Sequence, residues 1–156
     1  MVRYHNFDIV FAEIPGETTL AFNITNCPNR CPGCHSPHLT ADEGRVLDDA
    51  ELLALLACYG RSVTCVSFMG GDAEPQEIAR LAGVVRKNYP ALRTGWYSGR
   101  DELPKGLDIP AFNYIKRGGW VEALGPLTAP PTNQRLYKVG PEGGMEDITH
   151  RFRRKP

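Results

Sequence analysis

The sequence has no charge of one sign to spare. Its 18 lysines and arginines balance 18 aspartates and glutamates. Broad binding to nucleic acid runs on excess positive charge, so no nucleic-acid partner is expected. No apolar run approaches the ~20 residues needed to cross a bilayer. The best, Leu52-Leu-Ala-Leu-Leu-Ala-Cys58, reads as one face of a helix. Nor does an apolar signal stretch follow Met1-Val-Arg-Tyr-His-Asn6. The expectation is no membrane association and a cytoplasmic location. Internal repeats and low-complexity tracts are also missing. The 156 residues fit a single domain, 1–156, which can bury a core without help from a metal. The locally basic end, His150 to Pro156, reads as a solvated tail.

What is present is cysteine in an unusual arrangement. The count is five, an odd number. Three of them form Cys27-Pro-Asn-Arg-Cys31-Pro-Gly-Cys34, a C-x3-C-x2-C array. In a reducing compartment such crowding points to metal or redox chemistry rather than a disulfide frame. Thiolates are the usual ligands of iron–sulfur clusters. Three close thiolates leave one iron of a 4Fe–4S cube without a local ligand, and an open metal position is where substrate binds. Pro28 and Pro32 stiffen the loop and Gly33 permits close approach. Three other readings compete. Zinc with His35 or His38 lacks the second, separated ligand pair that structural zinc sites use. For these histidines a loop-satisfying role outweighs ligation. A fourth iron ligand from Cys58 or Cys65 conflicts with the pattern, which assigns both to the core. Thiol redox chemistry fits an uneven triplet poorly.

The elements place this array. Thr18–Thr25 reads as a strand running into a Pro-, Asn-, Gly- and His-rich loop, 26–40. Asp48 with Glu51 forms a capping-box pattern ahead of a helix over 49–59. Ser62–Phe68 reads as a buried parallel strand that ends in Met69-Gly-Gly-Asp72. Pro75 opens a helix over 75–88, closed by Asn88 and Pro90. Strands follow at 92–97, 111–116 and 134–139. The first ends in Ser98-Gly99 and the second in Arg117-Gly-Gly119. Alternating strand, loop and helix predicts an α/β fold with a mostly parallel sheet, whose ligand sites lie at the carboxyl ends of the strands.

In these residues the chain resembles the radical-SAM superfamily, the enzymes of S-adenosylmethionine (SAM). Its hallmark is C-x3-C-x2-C after the first barrel strand. Met69-Gly-Gly-Asp72 looks like that superfamily's glycine-glycine-acidic segment after the second strand. More narrowly the chain is similar to the activating proteins of anaerobic ribonucleoside-triphosphate reductases. Tyr4-His5-Asn6, Cys31-Pro-Gly-Cys34, Ser67 to Asp72, Trp96-Tyr-Ser-Gly99, Tyr114-Ile-Lys116 and Thr132-Asn-Gln-Arg-Leu136 carry this likeness, which covers nearly the whole chain. There are two departures from the superfamily pattern. Gly33 stands where many members have an aromatic residue, which favours the activating proteins. Asp72 stands where many have glutamate.

The resemblance implies a small, truncated β/α barrel. It implies a 4Fe–4S cluster on Cys27, Cys31 and Cys34, reductive cleavage of SAM, and a glycyl radical made on the large reductase subunit. Gly70, Gly71 and Asp72 would hold the SAM amino group; Ser98 and Gly99 would face its ribose or methionyl part. Lys116 is the candidate cation for its carboxylate, set against a plain solvated lysine at a strand end. Trp96, Tyr97 and Trp120 belong either to the core or to a partner surface. The implied partners are that large subunit and a one-electron donor such as flavodoxin. Two other functions stay open: a small radical-SAM enzyme of a free metabolite, similar to deazapurine synthases, and a non-catalytic iron–sulfur or zinc module.

Overall fold

The computed structural model describes residues 1–29 and 37–153. Cys31, Cys34 and His35 therefore lie outside the described residues. The chain order is β1 (Arg3–Val10), β2 (Thr19–Ile24), β3 (Arg45–Val46), α1 (Asp49–Tyr59), β4 (Cys65–Met69), α2 (Pro75–Asn88), β5 (Arg93–Tyr97), β6 (Tyr114–Arg117), β7 (Arg135–Val139) and β8 (Met145–Asp147). The strands form one mixed sheet in the order β3-β1-β2-β4-β5-β6-β7-β8.

The α/β reading holds, but the mostly parallel sheet does not. Among the described residues, parallel pairing is confined to β2-β4, β4-β5 and β5-β6. The four remaining pairings, β1-β2, β1-β3, β6-β7 and β7-β8, are antiparallel. Connection length accounts for part of this. Parallel neighbours need a crossover of a dozen or more residues, usually through a helix, whereas short returns give antiparallel pairs. Helices α1 and α2 supply the crossovers to β4 and β5. The link from β5 to β6 contains only a short 3-10 turn, Ile109–Ala111. The links from β1 to β2 and from β7 to β8, 11–18 and 140–144, are short returns, whereas the antiparallel β6–β7 pair is joined by a longer link, 118–134, with a 3-10 turn at Glu122–Leu124.

Both helices cover one face of the sheet. Side chains alternate along a strand, so Leu20, Phe22 and Ile24 of β2 share that face with Val66, Phe68, Trp96 and Ile115. They pack with Leu52 and Leu56 of α1 and Ile78, Leu81, Ala82 and Val85 of α2 in one core. Asp48 caps α1 by accepting from the Glu51 N–H at 2.9 Å. Only half of the expected capping box forms. The Glu51 carboxylate instead accepts from the Tyr4 hydroxyl and pairs with Arg45, both at 2.9 Å.

The opposite face is smaller and more polar. It carries Thr19, Cys65, Ser67, Gly95, Tyr97, Tyr114 and Lys116. A second cluster of Ile14, Cys65, Tyr114, Leu136 and Ile148, with Tyr97 and Phe152 against it, closes its lower part. Among the described residues no helix is long and apolar enough to cross a membrane.

Candidate functional site

Four parallel strands, β2, β4, β5 and β6, deliver the candidate residues to one rim. Strand β2 ends at Ile24, and Thr25 N–H donates to Arg3 O at 3.0 Å. Asn26 then takes a left-handed φ of 59°, which asparagine tolerates better than most residues. The base of the cysteine loop is tied by two backbone bonds, Asn26 N–H to Ala41 O and Cys27 N–H to Leu39 O, both 3.0 Å. Cys27 is a half-buried free thiol at that base.

Strand β4 leads into Gly70 and Gly71, with φ of 118° and 101°. Only glycine adopts such angles without strain. A Cβ on Gly70 would stand 3.3 Å from Ile24 O, and one on Gly71 would stand 2.5 Å from Ile78 Cγ1. The pair therefore lets the end of β4 lie against its own core. Two bonds fix the turn: Gly70 N–H to Tyr97 O at 3.0 Å, and Trp96 Nε1–H to Gly70 O at 2.8 Å. Trp96 is thus a core residue that also holds this segment.

Asp72 follows, 4% exposed. Its Oδ1 accepts from Ser98 Oγ at 2.6 Å; its Oδ2 accepts from Gly99 N–H at 2.8 Å and Asn29 Nδ2 at 2.5 Å. Ser98, Gly99 and Asp72, separate in sequence, are one hydrogen-bonded unit. Asn29 is the residue that sequence reasoning missed. It lies inside the cysteine motif, at a position where only the cysteine spacing carried meaning. Its amide also sits 3.8 Å from Cys27 Sγ.

Lys116 is buried, not solvated. Its Nζ donates to Gly118 O at 3.0 Å and Gln134 Oε1 at 3.1 Å, and lies 5.1 Å from the centre of the Tyr97 ring. A Cβ on Gly118, whose φ is 105°, would come within 3.0 Å of Gln134 Cα. Nearby, Asn133 Nδ2 donates to Gly119 O at 3.1 Å. Asn133 Oδ1 is buried and accepts no hydrogen bond among the described residues. Tyr97 is half-buried, and its hydroxyl donates to Glu13 O; desolvation of that hydroxyl raises its pKa well above the ordinary value. Trp120 is half-buried.

The remaining cysteines are elsewhere. Cys65 is fully buried at the start of β4, paired with Thr19. That is the end of the strand away from Cys27, about 13 Å lower by strand geometry. Burial pushes its thiol up to about 12. Cys58 is exposed on α1, not in the core. His38 is exposed and meets His5 edge-on, ring centres 5.0 Å apart. Comparison with models of known protein families, with curated proteins and with solved structures found no match to this chain.

Proposed function

We propose that the chain is a radical-SAM activase. In this reading the sheet is a small, truncated β/α barrel whose four parallel strands carry the site. Cys27, Cys31 and Cys34 hold a 4Fe–4S cluster. Gly70, Gly71 and Asp72, with Ser98 and Gly99, receive the methionyl amino end of SAM. The substrate is a glycine loop of the large subunit of an anaerobic ribonucleoside-triphosphate reductase. A one-electron donor such as flavodoxin serves it in the cytoplasm.

The observation that carries the reading is a juxtaposition. The Asn29 amide spans from Cys27 Sγ to the carboxylate of Asp72, 43 residues further along the chain. A thiol suited to iron and a carboxylate suited to an ammonium thus meet at the carboxyl ends of adjacent parallel strands, where such sheets bind ligands.

Of the three proposed cluster ligands Cys27 is described, and its chemistry and that of the Asp72 cradle support the reading. Cys27 offers a half-buried free thiol at the tied base of its loop. The three donors seen on Asp72 are all neutral, so they leave its negative charge for a cation to match. Asn133 Oδ1 offers a buried acceptor to a ligand N–H or O–H. A cluster held by Cys27, Cys31 and Cys34 would supply the single-electron chemistry for cleaving the SAM sulfonium. The chain's own work is orientation and exclusion. Asp72 positions the amino group. Lys116, held by Gly118 O and Gln134, brings positive charge to the rim beside β6.

The test is electron paramagnetic resonance on anaerobically reconstituted, reduced protein, with and without SAM. A reduced 4Fe–4S signal that changes shape on adding SAM is expected, and its loss in Cys27→Ala, Cys31→Ala or Cys34→Ala. Cys58→Ala and Cys65→Ala keep it. A protein that takes up zinc and no iron, or a cluster signal indifferent to SAM, overturns the reading.

A further inference from the structure

We infer that Asn29 is a positioning residue that clasps the cysteine loop to the Asp72 carboxylate, so that thiolate ligand and cation cradle are set as one unit. The inference deepens the reading above and rests on Cys27 being a cluster ligand.

The geometry is specific. A carboxylate only accepts, so the amide nitrogen of Asn29 must face Asp72, and it does so at 2.5 Å. The same nitrogen lies 3.8 Å from Cys27 Sγ. One –NH2 group has two protons, which suffices for both acceptors. Space is tight around it. A Cβ on Gly99 would stand 2.6 Å from Asn29 Nδ2 and 3.4 Å from Asp72 Oδ2. Glycine at 99 is therefore what admits the clasp. The sequence around it supports the same geometry: Pro28 restricts the backbone between Cys27 and Asn29.

Two consequences follow. A donor aimed at a metal-ligating thiolate stabilises the more negative, reduced cluster, and such hydrogen bonds tune the potential of iron–sulfur centres. Asn29 therefore holds the midpoint potential up. By fixing Asp72 Oδ2, it also aligns the carboxylate for the ammonium group.

The experiment compares wild type, Asn29→Ala, Asn29→Asp and Gly99→Ala. In the metal-free protein, amide hydrogen exchange at Gly99 reads the Asp72 cradle directly. It is expected to speed up in Asn29→Ala and more in Asn29→Asp, whose carboxylate repels Asp72. In the reconstituted protein, EPR-monitored redox titration and SAM binding are read at matched iron content. The expectation is a more negative midpoint potential, and SAM bound about 10- to 100-fold more weakly, the usual cost of losing an outer partner of a metal site. Gly99→Ala, which displaces the amide without removing it, is expected to show the same two shifts. An Asn29→Ala protein with wild-type exchange, potential and SAM affinity overturns the clasp. If the wild type takes no iron, the activase reading fails, and the exchange measurement alone then decides whether Asn29 organises the cradle.

Discussion

Glu17 and Asp72 are buried carboxylates at opposite ends of the same parallel strands. Glu17 lies beneath the amino ends. It accepts from Thr64 Oγ1 and the Tyr114 hydroxyl, each at 2.7 Å, and from Arg93 Nη1 at 3.3 Å. Asp72 lies at the carboxyl ends and accepts from a hydroxyl, a backbone N–H and an amide. Both are below a tenth exposed. The difference is the guanidinium. At the lower end the protein supplies the counter-charge itself, and the Ile14, Leu136 and Ile148 cluster seals the space above it. At the upper end the donors seen are neutral. A buried anion held only by neutral donors keeps a preference for a cation. The lower carboxylate is thus architecture, and the upper one, which meets no cation among the described residues, is where the proposed function places the SAM ammonium.

That contrast breaks most sharply at the two carboxylates themselves. Glu17→Ala strands the Tyr114 and Thr64 hydroxyls without their acceptor. At about 1–3 kcal/mol for each buried group left unsatisfied, urea unfolding is expected to show a loss of about 2–4 kcal/mol. Asp72→Asn keeps the shape and part of the bonding, so its stability loss is expected to be about 1 kcal/mol or less. Its SAM affinity is expected to fall tenfold or more, measured by calorimetry on reconstituted protein. Equal stability losses for the two would erase the distinction.

Glycines at the rim and halfway down β5 offer a smaller test. Gly71→Ala forces a side chain onto a φ of 101° with its Cβ 2.5 Å from Ile78 Cγ1. Strain of this kind costs about 1–3 kcal/mol. At Gly95 the new Cβ would meet Ile14 Cδ1 at 2.6 Å, the end of a flexible side chain. Thermal unfolding is expected to rank Gly71→Ala as the more destabilised; the reverse order would show that the rim turn yields more easily than the middle of β5.

The gentlest effect is alkaline and belongs to the lower end. Burial raises the Cys65 thiol to about 12, with the Glu17 charge adding to it. Burial also raises the Tyr114 hydroxyl, followed by its bond to Glu17. The folded protein keeps protons that the unfolded chain releases from about pH 9 upward. Stability is therefore complete below pH 9 and declines as pH rises towards 12, by at most ~1.4 kcal/mol per pH unit for each group. Cys65→Val is expected to flatten the decline between pH 9 and 10, followed by unfolding at fixed urea. An unchanged slope would mean that the thiol is not protected there.

The central elements were legible because each carried its own local signal. Pro75 at the first turn and Pro90 past the end bracket α2 as expected, and Asp48 opens α1. The alternation of β2 and the apolar run of β4 appear where the pattern put them, within a residue or three. Strands β1, β3 and β8 were not foreseen. β1 is largely half-buried to exposed, with a register shift between Tyr4 and Asn6 that blurs its alternation. β3 and β8 are two and three residues long, too short to show a period. The direction of the outer strands was also illegible, since the β5–β6 link, 98–113, and the β6–β7 link, 118–134, are of similar length and neither holds an α-helix, yet the first pair is parallel and the second antiparallel.

By itself, the sequence determined the α/β class, both helices, the parallel centre of the sheet and the C-x3-C-x2-C array. All of these are written in signals a few residues long: caps, periodicity and spacing. Only the tertiary structure decided which distant groups meet. It put Cys65 at the floor and Cys27 at the rim, turned Lys116 inward onto Gly118 and Gln134, and set the Asn29 amide between a thiol and a carboxylate. The reason is physical. Local propensity acts along the chain, whereas a buried carboxylate takes its donors from whatever strands the sheet brings beside it.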